Sequence, residues 1–205
     1  MYKLYGVSSF GSAITELMLT LVEEPYKFID VDGFDTAGPM RDRLLVINPL
    51  AQVPTLVLDN GEVLTESAAI ALWILDRHPQ YAPPIGTPER QQFYRLLIWI
   101  VANVYPTFTY GDYGERWVEE EATVLTENLY RYRESLWLWF ETQLSAGPYI
   151  FGEQLTLLDL YLPAMTRWRP RQAWFDQHTP KLAAVANQVR ALPQLNKVLG
   201  RNGML

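Results

Sequence analysis

Segments with the hydrophobic pattern of strands alternate with segments with the hydrophobic pattern of helices along the first 78 residues. Short runs rich in β-branched and aromatic residues indicate strands, and apolar residues recurring every three to four positions indicate helices. The predicted strands are residues 2–7, 26–31, 53–58 and 62–65, and the predicted helices are 12–24, 40–46 and one beginning at Glu66-Ser67. The element order is βαβαββα, and the first two strands should be parallel with a right-handed crossover.

The second part of the chain has only the helical period. Residues 79–88 hold four prolines and little helical pattern, which predicts a linker. Helices are expected at about 89–105, 116–144, 156–168 and 180–199, with breaks at Pro106 and Gly147-Pro148. The predicted domains are an α/β domain at 1–78, the linker at 79–88 and an all-helical domain at 89–205. Thr156 and Asp159 have the spacing of a capping box.

Composition excludes several kinds of function. The chain has no cysteine, so disulfides, thiolate metal sites and a protein thiol nucleophile are excluded, and its two histidines lie a hundred residues apart. We therefore expect no metal site. Residues 1–78 hold five of the 17 Lys and Arg but eleven of the 23 Asp and Glu. This acidic surface argues against nucleic acid as a partner.

Hydropathy predicts a protein without a membrane partner. Apolar residues make up 49% of the chain, which is enough to bury a core, but no apolar run approaches the ~20 residues needed to span a bilayer. No basic-then-apolar leader precedes the first strand. A cytoplasmic location is expected.

The chemistry of the first domain centres on residues 48–76. Pro54 opens a strand, Asp59-Asn60-Gly61 is a hairpin signal, and a helix then begins at Glu66-Ser67. The first backbone N–H groups of a helix lack intrahelical partners and carry the positive end of its dipole. The start of this helix is therefore a natural seat for an anion.

This combination of strand-opening proline, hairpin and Glu66-Ser67 helix start resembles the glutathione-binding half of the glutathione S-transferase family, including its bacterial members. The resemblance implies a thioredoxin-like N-terminal domain followed by an all-helical domain, with a cis bond before Pro54. It also implies glutathione as co-substrate, no metal, a small hydrophobic electrophile as second substrate, and a homodimer. The implied reaction is attack of the glutathione thiolate on the electrophile.

The same resemblance assigns the peptide-binding residues. Val53 before Pro54 would offer its backbone to the cysteinyl group of glutathione, Glu66 would face the γ-glutamyl ammonium, and Ser67 would meet the γ-glutamyl carboxylate. Gln52 would reach the glycyl carboxylate.

The sulfur of glutathione needs a hydrogen-bond donor because only the thiolate attacks well. The turn after the first strand offers Ser8, Ser9 and Ser12. By resemblance to serine-type members we expect Ser9, or else Ser8, to donate to the sulfur, and Ser12 to cap the following helix. Tyr5 is an outside candidate, by resemblance to tyrosine-type members.

The cysteine-type bacterial class is a poorer match. Its His-Lys pair falls, by our alignment, on Tyr105 and Pro106. The electrophile is expected between the domains, against an aromatic stripe of the second one. That stripe, which ordinary helix packing explains equally well, consists of Tyr105, Phe108, Tyr110, Tyr113 and Trp117.

Two further readings stay open. The fold could serve as a glutathione-binding or protein-interaction module without turnover. Ser8-Ser9 also resembles the turn of the zeta-class isomerases, although the cysteine that follows in that class is absent. The arginines at 167, 169 and 171 are interpreted as a solvated or dimer-facing segment.

Overall fold

The computed structural model describes residues 1–205, which form two compact units. One unit comprises Met1–Pro79 together with Val189–Leu205, and the other comprises Gln80–Gln188. The sequence division placed residues 189–205 with the second domain, whereas in the structure they pack with the first. The proposed limits at 78 and 88 remain predictions.

The first unit contains a four-stranded mixed sheet, and the βαβαββα order is confirmed. The strand order is β2-β1-β3-β4, with β1 parallel to β2 and β3 antiparallel to both β1 and β4. The elements are β1 Tyr2–Gly6, α1 Ser12–Leu21, β2 Tyr26–Asp30, α2 Pro39–Leu45, β3 Thr55–Val57, β4 Val63–Thr65 and α3 Ser67–Leu75. A thioredoxin-like domain is therefore present, with strands shorter than the apolar runs suggested.

Helix α1 begins differently from the prediction. Gly11 is its N-cap residue, and Ser12 lies inside the first turn without capping it. The Ser12 hydroxyl instead accepts a hydrogen bond from the Val7 N–H and donates one to the Val7 carbonyl, both at 3.0 Å. Because Ser12 is fully buried, these bonds satisfy the main chain where it leaves β1. The predicted capping role of Ser12 was wrong.

The second unit is built from helices, as predicted. Its helices are α4 Pro88–Trp99, α5 Tyr105–Gly111, α6 Ala122–Glu141, α7 Tyr161–Met165, α8 Gln172–His178 and α9 Pro180–Arg190, the last of which extends across the unit boundary. Two isolated β-bridges, Tyr149–Gly152 and Phe151–Gln154, lie between α6 and α7. A short helix, α10 Asn196–Arg201, follows in the first unit. The long predicted spans at 116–144 and 180–199 are each interrupted by turns or 3₁₀ segments.

Pro106 does not break the helical path. A π-helical segment at Ile100–Val104 joins α4 to α5, and Pro106 lies in the first turn of α5. A proline is tolerated in the first turn of a helix, where its missing N–H costs little. The π segment before it also has a wider turn than an α-helix, which leaves room for the proline ring. The expected interruption at this position was wrong.

The Thr156–Asp159 pair forms a buried hydrogen-bonded turn before α7, whose N-cap residue is Leu160. The Asp159 carboxylate accepts hydrogen bonds from the Thr156 N–H and the Thr156 hydroxyl, both at 2.7 Å, and from the Ile150 N–H at 2.8 Å. The bond from the Thr156 N–H to the Asp159 carboxylate is the one a capping box predicts. The predicted cap by the Thr156 side chain was wrong, because its hydroxyl donates to Asp159 instead, and the contact with Ile150 was not predicted. Burial raises the pKa of Asp159 to about 6, although the three donated bonds oppose the change.

This raised pKa predicts a stability that falls with pH. An unfolded aspartate has a pKa of 3.8, so between about pH 4 and 6 the folded protein holds a proton that the unfolded chain has released. The contribution of Asp159 is fully present below about pH 4 and is lost as pH rises through 6. We expect Asp159→Asn to be less stable than the wild type, with a gap that narrows over this window.

Chemical denaturation of both proteins at pH 4, 5, 6 and 7 measures this gap. Asp176→Asn, which removes one exposed carboxyl from α8, is the matched control for the loss of a charge. Wild-type and Asp159→Asn stability curves that stay parallel across the window would contradict the prediction.

Candidate functional site

The register of the sheet brings three segments to one end of it. Thr55 at the start of β3 pairs with Tyr5 of β1 on one side and with Thr65 of β4 on the other. Since both pairings are antiparallel, the chain leaves β1, enters β3 and leaves β4 at the same end. The predicted residues in these segments are Ser8, Ser9, Val53, Pro54, Glu66 and Ser67.

The main chain at Val53 has unused hydrogen-bonding groups. The Val53–Pro54 peptide bond is cis, as the resemblance implies. Neither the N–H nor the carbonyl of Val53 forms a hydrogen bond within the protein. In the preceding residue, by contrast, the Gln52 carbonyl accepts from the Thr55 hydroxyl at 2.7 Å, while the Gln52 side chain is exposed. One donor and one acceptor are thus available to a ligand beside the sheet.

The start of α3 is open to an anion. Glu66, the N-cap residue, has φ 63° and forms no side-chain cap, and the N–H groups of Ala68 and Ala69 have no partner in the protein. These amides carry the positive end of the helix dipole. Ser67 is buried and Glu66 is exposed. A positive φ at a residue other than glycine is strained, and such strain is concentrated at functional sites.

The turn after β1 is tied to the end of the chain. The Ser9 N–H donates to Asn202 Oδ1 at 2.9 Å, and the Ser9 hydroxyl donates to the Asn202 carbonyl at 2.8 Å. The Ser8 hydroxyl donates to the Arg201 carbonyl over a longer 3.3 Å. Ser9 also has φ 66°. We call these three hydrogen bonds the tail latch.

A buried carboxylate holds the tail latch in place. Glu16 in α1 is fully buried, and its Oε2 accepts from Asn202 Nδ2 at 3.0 Å. Its Oε1 accepts from the Tyr26 hydroxyl at 2.9 Å and pairs with the Arg201 guanidinium. The Glu16 charge is therefore compensated by one cation and two neutral donors, as a buried charge requires.

Sequence reasoning missed this network. The one local signal was Glu16, a charged residue that the structure buries within an otherwise apolar helix. Its partner Asn202 lies 186 residues away, so no spacing rule could connect them.

Two other sequence candidates are placed by the structure. Tyr5 is 7% exposed and packs in a core cluster with Val7, Val31, Leu44 and Ala51. The aromatic stripe of the second unit is divided. Tyr105 and Phe108 contact Trp168, with ring centroids 5.9 and 5.0 Å away, whereas Tyr110 and Trp117 form a separate exposed pair at 4.6 Å.

The structure has neither a membrane-spanning helix nor a cluster of metal ligands. None of the helices has the length and apolarity that crossing a membrane requires. No group of three or more His, Cys, Asp or Glu side chains is arranged to hold a metal ion.

The tail latch makes a prediction about stability. Asn202→Ala removes a donor from the buried Glu16 and an acceptor from the Ser9 N–H, so we expect the free energy of unfolding to fall by about 1–3 kcal/mol. Chemical denaturation measures the change. Asn128→Ala is the control, because Asn128 is exposed and bonds only Arg131. If Asn202→Ala and Asn128→Ala lowered the free energy of unfolding by the same amount, the tail latch would contribute no specific stability.

Comparison with known proteins identifies the family. Residues 12–77 match the family model of the glutathione S-transferase N-terminal domain, and residues 104–201 match that of the C-terminal domain. The uncharacterized GST-like protein YncG of Escherichia coli (strain K12) is 54% identical over 205 residues, covering 100% of both chains. The glutathione S-transferase GstA of Escherichia coli O157:H7 is 25% identical over 201 residues, covering 97% of this chain and 96% of that one.

A solved structure agrees with the fold. A glutathione transferase homologue from Sulfitobacter, crystallised with bound glutathione, superposes with a TM-score of 0.82 at 22% identity, covering 100% of this chain and 99% of that one. Together with the two domain matches and the relative of equal length, this shows that the chain belongs to the bacterial glutathione S-transferase family.

Proposed function

We propose that this protein binds glutathione in its first unit and transfers the glutathione thiolate to a small hydrophobic electrophile. The observation that carries the proposal is the unpaired main chain of Val53 at the same end of the sheet as the open start of α3. An extended peptide can pair with a free backbone as an added strand would, and a helix start binds its carboxylate. The glutathione bound to the Sulfitobacter homologue supports this choice of ligand.

In this proposal, each polar group of glutathione binds a protein group of complementary chemistry. The cysteinyl N–H and carbonyl pair with the Val53 main chain beside Pro54. The exposed Glu66 carboxylate faces the γ-glutamyl ammonium, and Ser67 with the first amides of α3 binds the γ-glutamyl carboxylate. The Gln52 side chain reaches the glycyl carboxylate.

The sulfur chemistry requires one good donor. A free thiol has a pKa of about 8.5, and lowering it to about 6.5 needs roughly 2.7 kcal/mol of preference for the thiolate. A hydroxyl that donates to a charged acceptor supplies about 1.5–3 kcal/mol. A single serine beside the sulfur is therefore sufficient.

The tail latch decides which serine we favour. A hydroxyl has one proton to donate, and that of Ser9 is directed to the Asn202 carbonyl at 2.8 Å. The Ser8 hydroxyl is exposed and its bond is longer, at 3.3 Å, so less is lost when it turns to a ligand. Sequence reasoning preferred Ser9. We now assign the donor role to Ser8 and keep Ser9 as the second candidate, with a part in fixing the turn.

The second substrate is assigned by its chemistry. Tyr105 and Phe108 would supply the aromatic wall that a hydrophobic electrophile prefers.

A homodimer and a cytoplasmic location are proposed on the precedent of the family alone.

The binding half of the proposal is tested with Ser67→Ala. We expect isothermal titration of glutathione into the wild type to give a dissociation constant in the micromolar to millimolar range. The variant loses one hydrogen bond to a charged carboxylate, so its affinity should fall about tenfold or more. Ser135→Ala, which removes an exposed hydroxyl from α6, should leave the affinity unchanged. No heat from the wild type at millimolar glutathione would overturn the proposal.

The catalytic half is tested with Ser8→Ala, Ser9→Ala and the double variant. Turnover of a reactive aromatic halide should fall most for Ser8→Ala, and the pH at which the rate is half-maximal should rise as thiolate stabilisation is lost. Glutathione affinity, measured by titration, should change little in Ser8→Ala. Binding without turnover in the wild type would instead support the non-catalytic module. Unchanged turnover in the double variant would rule out serine-assisted sulfur chemistry.

A further inference from the structure

A basic cavity lies within the second unit, apart from the residues assigned to glutathione. It has a volume of about 340 Å³ and is bounded by α6 and by the loop that precedes α8. We call it the arginine pocket. It is lined by Tyr130, Arg133, Glu134, Arg169, Pro170 and Arg171.

Arg133 builds one wall of the arginine pocket. Its side chain is 1% exposed, and its guanidinium donates to the Thr107 hydroxyl at 2.9 Å and to Asp112 Oδ1 at 3.0 Å. It also donates to the Arg169 carbonyl at 3.2 Å. A buried cation on a rigid helix therefore fixes the main chain of the opposite wall at Arg169.

The other two arginines lack a charged partner. The Arg169 guanidinium lies over the ring of Tyr130, 4.9 Å from its centroid, and forms no ion pair. Arg171 donates to the Arg167 carbonyl at 3.1 Å and also has no carboxylate partner. Glu134 is the one acid in the lining. Arg133 is paired with Asp112, so the guanidiniums of Arg169 and Arg171 are the two cations of the lining without an ion pair, in a protein whose net charge is −6.

The position of Arg171 is fixed by the backbone. Arg171 has φ 87°, uncommon for a residue other than glycine. Its N–H donates to the Trp168 carbonyl at 2.7 Å, and its carbonyl accepts from the Trp174 N–H at 3.0 Å. Burial lowers the pKa of Arg133, while the Asp112 carboxylate opposes this change.

We propose that the arginine pocket binds a small, doubly charged oxyanion such as a phosphate group. Planar guanidiniums bind phosphate, sulfate and carboxylate oxygens through paired N–H donors, and two of them here have no carboxylate to bind. The volume suits a small anion or the charged end of a metabolite. The sequence pattern alone could not reveal the pocket, because Arg169 and Arg171 lie in the loop before α8 while Arg133 lies in α6, far away along the chain.

Titration calorimetry with inorganic phosphate tests the proposal. At constant ionic strength we expect binding to the wild type, with affinity reduced about tenfold or more in Arg169→Gln and further in Arg169→Gln/Arg171→Gln. Arg131→Gln is the matched control, because Arg131 lies on the same helix, is exposed and bonds only Asn128. It should bind phosphate as the wild type does. Arg133 is not substituted, because losing its buried hydrogen bonds would destabilise the fold and obscure any effect on binding.

Three results would overturn the proposal. They are no heat from phosphate, full binding retained in the double variant with a wild-type circular dichroism spectrum, and an equal loss in Arg131→Gln. Parallel titrations with sulfate and malonate identify the class of anion: tighter binding of phosphate and sulfate assigns the pocket to tetrahedral oxyanions, and tighter binding of malonate assigns it to dicarboxylates. Glutathione titrations of the same variants keep this result separate from that of the glutathione site.

Discussion

The pairing of Thr55 with strands on both sides determines where the chemistry of the first unit can occur. A shift of one residue in either ladder would turn every side chain of β3 to the other face of the sheet and would change the position of Thr55 opposite Tyr5 or Thr65. Thr55 is buried, and its hydroxyl donates to the Gln52 carbonyl, so the same residue sets the register and shapes the bend before β3. Val53 lies in this bend, where its N–H and carbonyl have no hydrogen-bond partner in the protein.

In each unit, a buried charge ties distant parts of the chain together. Glu16 holds the end of the chain against the turn after β1, and Arg133 holds the loop at Arg169 against α6. Burying an ion is unfavourable unless its hydrogen bonds are satisfied, so these positions tolerate few alternative arrangements. Both charges are therefore determinants of local geometry, and both lie next to a surface to which we assign binding.

The parts of the fold that could be predicted are those with local signals. The hairpin at Asp59-Asn60-Gly61, the strand-opening Pro54 and the helix start at Glu66-Ser67 each depend on neighbours within a few residues. Ser12 was misassigned because a serine before an apolar run is a good cap by local rules, whereas here its hydroxyl satisfies the main chain of Val7. Pro106 was misassigned because propensity takes no account of a π segment before it.

The tail latch also bears on how the molecule is made. Residues 189–205 complete the first unit, but a ribosome synthesises them only after it has synthesised all of the second unit. Domains of a growing chain usually fold in the order of synthesis. Here the sheet can form early, yet Glu16 cannot bond with Arg201 or Asn202 until those two residues have been synthesised. During translation the Glu16 carboxylate on α1 therefore has the Tyr26 hydroxyl as its donor from the early part of the first unit, and it gains its cation and its amide donor only later.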